Sequence, residues 1–166
     1  MEYRSGTIGR VFSVRFDEGD LFLEGLLDLI AKENIRCGWF HVLGGLREAD
    51  VVTGPKEPTM PPEPVWSQVR GAREVLGAGS IFWDDNEPKI HLHAALGYHG
   101  DTLTACVRKG TKVYLILEVV IIELAGINAI RPWYEEGGFN RLTYIRSVTA
   151  FNPHFSRTVQ QRAVTF

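Results

Sequence analysis

Lys89-Ile90-His91-Leu92-His93-Ala94-Ala95-Leu96-Gly97 and Thr102-Leu103-Thr104-Ala105-Cys106-Val107-Arg108 flank the turn-forming segment Tyr98-His99-Gly100-Asp101. Side chains alternate faces along an extended strand, so His91 and His93 point one way and Leu92 the other. With His99 and Gly100 as the two loop residues of a hairpin, Cys106 falls opposite His93 and Arg108 opposite His91. Opposite residues of an antiparallel pair share a face, with Cβ atoms roughly 5 Å apart. Two imidazoles, one thiol and one guanidinium therefore converge on a single patch.

Imidazole and thiolate suit zinc and other borderline transition metals, which makes His91, His93 and Cys106 a candidate metal set with zinc as the candidate cofactor. Three protein ligands leave a fourth position open, as in catalytic rather than structural zinc sites. Arg108 beside them would hold the anionic group of a small ligand or substrate. The competing reading is plainer: hydrogen-bonded strand histidines and a cysteine that is only a small buried hydrophobe. A loop one residue longer or shorter would move Cys106 to the opposite face.

Outward from this hairpin, the 166 residues suit one domain with a real core. The formal net charge of −2 argues against a protein built mainly to neutralise phosphates. The N-terminus carries no apolar run with a cleavage site, so the cytoplasm is the expected location. The longest apolar stretch, Val113 to Leu124, is broken by Glu118 and Glu123 and is too short to span a bilayer, so no membrane partner is expected. The two cysteines do not make a disulfide framework.

Gly9 to Phe16 alternates as a strand with Phe12, Val14 and Phe16 on one face. Asp17-Glu18-Gly19-Asp20 offers N-cap candidates for a helix from about Asp20 to Glu33, with Leu23, Leu26, Leu27 and Ile30 at helical spacing. Trp39 to Leu43 and Leu46 to Thr53 read as strand, interrupted at Gly44-Gly45 by a bulge, a bend or a close backbone approach. The prolines between Gly54 and Pro64 define a surface loop. Strands near Arg73 to Leu76 and Gly79 to Trp83 follow, then the turn cluster Asp84 to Pro88, whose Asp84 and Asp85 are a weaker cation candidate. From Val113 to Leu124 both alternating sets are apolar, so both faces need cover. One helix covers little more than one sheet face, which leaves the other for a further sheet or a second subunit. Glu118 interrupts that surface and needs a partner if buried, Arg108 or a metal being the candidates; otherwise it lies on an exposed strand end. His41, beside Gly44-Gly45, is a further candidate for the pocket wall.

These features in this order resemble the plant-and-prokaryote-conserved (PPC) domain. The likeness is carried by the opening strand with Asp17-Glu18-Gly19-Asp20-Leu21, by Leu43-Gly44-Gly45-Leu46-Arg47-Glu48-Ala49, and by the segment Arg73 to Phe82. The His91-Leu92-His93 strand, Ala105-Cys106-Val107-Arg108 and Glu118 to Leu124 complete it. The resemblance implies an α+β fold: a mainly antiparallel β-sheet flanked by one principal helix and assembled as a homotrimer. Many PPC domains carry a third histidine in a Gly-Gly-His-Leu segment. Thr104-Ala105-Cys106-Val107 stands in that place here, so Cys106 occupies the position of the histidine. A branch of prokaryotic members with Gly-Cys-Ile-Arg-like text and a Gly-Phe-ending C-terminal segment looks like this chain, through Arg131 and Gly138-Phe139.

The resemblance also implies a DNA-binding label. Plant members join the domain to Arg-Gly-Arg-Pro elements that enter the minor groove, and no such element occurs here. Direct DNA binding by this chain is therefore expected to be weak. The expected organisation is a domain over residues 1–146, with a tail over 147–166 that is irregular or packed on a neighbouring subunit. Two functions follow: a homotrimeric binding or regulatory module, or a zinc-dependent enzyme or binding protein acting on an anionic small molecule.

Overall fold

The computed structural model describes residues 1–145. The tail expected over 147–166 lies outside the described residues. Five long strands and one helix form the body: β1 (Thr7–Asp17), α1 (Phe22–Lys32), β2 (Gly38–Pro55), β3 (Pro64–Asp84), β4 (Glu87–Tyr98) and β5 (Asp101–Ala125). The sheet order is β1-β5-β2-β3-β4, all antiparallel, and β5 also pairs with β4, so the long strands curl the sheet back on itself. Four two-residue strands follow: β6 (Ala129–Ile130), β7 (Trp133–Tyr134), β8 (Phe139–Asn140) and β9 (Thr143–Tyr144). They pair as β6 with β9 and β7 with β8. No helix among the described residues is long and apolar enough to cross a membrane.

The helix lies where its spacing predicts, and Asn34, at φ 52°, follows its end. The cap differs from expectation. The N-cap is Leu21 without a side-chain cap bond, and Asp20 instead accepts from the Asp17 backbone N–H at 2.9 Å. The orphan N–H of Leu23 donates to the hydroxyl of Thr111, at 3.0 Å, from β5. A buried threonine on a neighbouring strand thus does the work a local cap would do. Phe22, Leu26 and Ile30 pack into the concave side of the sheet against Phe40, Val42, Leu92, Leu117 and Ile121. Each such burial stabilises by roughly 1.5–3 kcal/mol before entropy is counted.

Gly44 and Gly45 make a close backbone approach within a continuous β2. Gly44 has φ 138°, and a Cβ there would overlap the Ile116 carbonyl of β5. The two short strands expected near Arg73 and Gly79 are instead one strand of 21 residues beginning at Pro64. Its exposed first half, antiparallel to the end of β2, lacks the apolar alternation that would have marked it.

The convex face is open. Across the strands, one level reads Ser13, Val120, His41, Ala78, His93, Cys106. The adjacent levels read Arg15, Glu118, Leu43, Leu76, Ala95, Thr104, and Val11, Ile122, Trp39, Ser80, His91. Leu43 is 57% and Leu76 67% exposed, directly across from one another, and Trp39, Val120 and Ile116 are exposed nearby. The second apolar set of β5 is therefore uncovered in the single chain. Leu115 departs from its predicted set: at φ 59° it breaks the alternation and turns outward.

Candidate metal centre and the adjoining cleft

The turn between β4 and β5 decides the site. His99 at φ 48° and Gly100 at φ 94° form its two loop residues, both in the left-handed region that two-residue hairpins favour. The register that follows pairs Tyr98 with Asp101 and His93 with Cys106, as the sequence spacing requires. His91, His93 and Cys106 come together with one ligand atom from each, all within 4.8 Å of one another. The Nε2 atoms of His91 and His93 are 3.0 Å apart, one donating and the other accepting, so the two rings share a proton-bearing nitrogen facing a lone pair.

The expected pairing of Arg108 with His91 does not form. Pairing of β4 with β5 stops at Leu92 and Val107, and a register shift between Asp50 and Val51 leaves Arg108 as the extra residue of a bulge. Arg108 nevertheless lines the same cleft as His91. Glu118 is not brought to the site. It is exposed, in mid-strand opposite Arg15 and Leu43, with β2 and β3 between it and His93. Ten residues along β5 separate it from Arg108. His41 shares the face and a shallow depression with His93, but Ala78 of β3 stands between them. Two strand spacings are roughly 9–10 Å, beyond a shared ion. The His41 ring instead accepts from Trp39 Nε1 at 3.3 Å.

The electrostatics favour a neutral His91 ring and a protonated Cys106 thiol. Burial pushes the His91 pKa down to about 4, assisted by the charges of Arg131, His93 and Arg108. At neutral pH the His91 ring is neutral and one nitrogen carries a free lone pair. Burial raises the Cys106 thiol, opposed by the charge of Arg108 and a hydrogen bond from it. A metal entering this set must displace the thiol proton, while Arg108 favours the thiolate. The donor set, two imidazoles and one thiol on a rigid sheet face, fits zinc.

Beside the triad lies a cleft of about 460 Å³ between the β2–β3 arm and the short C-terminal strands. Lys89, Arg108, Arg131 and His91 line it with Trp66, Trp133 and Phe139, and among the described residues no aspartate or glutamate does. The sequence reading did not assign Lys89, Trp66, Arg131, Trp133 or Phe139 to a site. The signal available was the cluster Arg131-Pro132-Trp133 and the turn Gly137-Gly138-Phe139, compositionally unlike a solvated tail. The other cysteine, Cys37, does not join the triad: its thiol donates to the Ile127 carbonyl at 3.3 Å.

The model of the Plants and Prokaryotes Conserved (PCC) domain matches residues 3–125. Similar solved structures include a metal-containing protein of Archaeoglobus fulgidus, 20% identical at a TM-score of 0.74, covering 88% of this chain and 100% of that one. A plant- and prokaryote-conserved protein of Pyrococcus horikoshii is 21% identical at a TM-score of 0.74, covering 88% and 99%. A candidate DNA-binding protein of Bacteroides thetaiotaomicron is 15% identical at 0.69, covering 85% and 99%. At these identities the likeness is one of fold. No curated protein matches the chain significantly.

Proposed function

We propose a function for this chain from one premise: it belongs to the Plants and Prokaryotes Conserved (PCC) domain family. The protein is a homotrimeric binding module that holds a transition metal, zinc in the first instance, at His91, His93 and Cys106. It presents the space beside that ion to a small anionic ligand. The observation that carries this reading is the convergence of three ligand atoms within 4.8 Å beside a cleft lined, among the described residues, by cations and no carboxylate.

When bound, the ion supplies a Lewis acid that draws an anionic or carbonyl oxygen toward it. The chain's own residues do the rest. His91 and His93 each offer a ring nitrogen, Cys106 gives up its proton, and Arg108 stabilises the thiolate and attracts the anion. The absence of a lining carboxylate among the described residues favours binding over hydrolysis, because no general base of that kind faces the ligand. The metal-containing relative from Archaeoglobus fulgidus supports the metal assignment.

The homotrimer is supported by the uncovered apolar face bearing Trp39, Leu43, Leu76 and Val120. A contiguous patch of this kind marks an interaction surface. A DNA role remains the second reading, favoured by relatives described as candidate DNA-binding proteins. The net charge of −2 and the lack of an Arg-Gly-Arg-Pro element make it a weak one.

The test is metal analysis of protein prepared without a polyhistidine tag and supplied with zinc. One zinc per chain is expected in wild type and in His99→Ala, and background metal in Cys106→Ser. Background metal in the wild type, or zinc kept in Cys106→Ala and lost in His99→Ala, would overturn the assignment.

A further inference from the structure

Arg131 is a cation with no anionic partner among the described residues. It is 7% exposed, and its Nη2 donates to the Ser80 hydroxyl at 2.8 Å. Its guanidinium lies over the Phe82 ring, 5.3 Å from the centroid. Its Nε is buried with no hydrogen-bond partner, and it makes no ion pair among the described residues. The remaining residues, 146–166, contain no aspartate or glutamate. Burying a charge without a counter-ion is costly, and proteins tolerate it where something else supplies the charge.

The backbone holds Arg131 in this place deliberately. Its N–H donates to the Trp83 carbonyl at 2.8 Å, and its carbonyl accepts from Asn140 Nδ2 at 3.2 Å. The residue belongs to the cleft wall, together with Lys89 and Arg108. Lys89 is already paired with Glu87 at 2.7 Å, so the unmatched charge rests on the two arginines. Three exposed aromatic side chains share the cleft lining with them, Trp66, Trp133 and Phe139, at 54%, 56% and 40%. Exposed rings around a charged recess are costly to leave wet and suit a flat apolar body. The cleft volume is in the range of small-molecule sites.

We infer that this cleft binds a small organic anion, a carboxylate or phosphate carried on a flat ring, with Arg131 as the buried anchor of the anionic group. Arg108 adds a second, mobile cation at the cleft wall, and Trp66, Trp133 and Phe139 enclose the ring. This deepens the proposed function by naming the ligand class and its anchor, and it does not require the metal. Residues 129–140 build much of the site and lie beyond the matched family segment of 3–125.

Calorimetric titration with phenyl phosphate, benzoate, inorganic phosphate and neutral benzyl alcohol tests it, on both zinc-loaded and chelator-stripped protein. Saturable binding of at least one ring-bearing anion is expected in both forms, with no binding of benzyl alcohol. Arg131→Met should weaken that binding roughly 10- to 100-fold, the worth of a charge-assisted contact. The variant removes an unpaired buried charge, so its melting temperature should equal or exceed that of wild type. Trp133→Ala, at an exposed position, should weaken the ring-bearing anions several-fold and leave inorganic phosphate unchanged. It keeps the test open if Arg131→Met does not fold. Absence of saturable binding, or equal binding in wild type and both variants, would overturn the inference. Binding of the anion together with background zinc content even after zinc is supplied would sink the metal reading alone. Binding only in the zinc-loaded form would place the anion on the ion and overturn the Arg131 anchor.

Discussion

Replacing His91 by Gln should change how the metal-free protein responds to acid. Burial lowers the His91 pKa to about 4, and the charges of Arg131, His93 and Arg108 act in the same direction. In the unfolded chain that environment is gone and the ring titrates near its ordinary ~6.5. Between those two values the unfolded chain binds a proton that the native protein refuses. Native stability therefore falls as pH drops from about 6.5 toward 4, and is unaffected by this group above that window. The gap from 6.5 to about 4, at somewhat over 1 kcal/mol for each pH unit, sets a ceiling of about 3 kcal/mol. The side chain is exposed on one side of the cleft, and solvent screening reduces the effect to about 1–2 kcal/mol. Urea unfolding of chelator-treated wild type and His91→Gln, at about pH 7.5 and about pH 4.5, measures it as a double difference. The variant should gain about 1–2 kcal/mol on the wild type between the two conditions. A gap that stays constant within about 0.5 kcal/mol would refute the picture of a histidine held neutral by its surroundings.

Thr111→Val should cost about 1 kcal/mol in denaturant unfolding, because the Leu23 N–H loses its partner at the start of α1. A neutral substitution would show that the bond adds nothing. Leu76→Glu places a charge in the uncovered apolar face, so wild type should sediment at about three times the monomer mass and the variant at the monomer mass. A monomeric wild type at micromolar concentration would remove the trimer. Mixed-sequence and A·T-rich duplexes should bind no more tightly than roughly 10⁻⁶ to 10⁻⁴ M at physiological salt. Nanomolar affinity that persists at raised salt would mean that the surface has been misjudged.

The hairpin and its triad were legible because three local signals agreed. The His91-Leu92-His93 alternation fixed a face, the His99-Gly100 turn fixed the register, and that register named Cys106. The helix was legible for the same reason: its apolar stripe is local. Arg108 was only half legible. Its position in the cleft follows from the strand, but the bulge beside Asp50 depends on β2, a partner distant in sequence. Glu118 misled because a run of apolar neighbours suggests burial, whereas the sheet leaves that face open in the single chain. The first half of β3 carries few apolar residues, so its strand character comes from pairing with β2 and not from its own pattern. The cleft was the least legible feature. It joins Trp66 and Lys89 to Arg131, Trp133 and Phe139, and no short-range periodicity links segments so far apart.

Cobalt(II) titration of tag-free protein tests the central claim most directly, since cobalt occupies zinc sites and a thiolate bound to it absorbs in the near ultraviolet. The Cys106 thiol is held up by burial, so binding should also release a proton to the buffer. Wild type should show the thiolate band saturating at one cobalt per chain, with proton release, and zinc should abolish the band. Cys106→Ser should show no such band. Wild type without the band, or a band that persists in Cys106→Ser, would contradict a metal centre built from His91, His93 and Cys106.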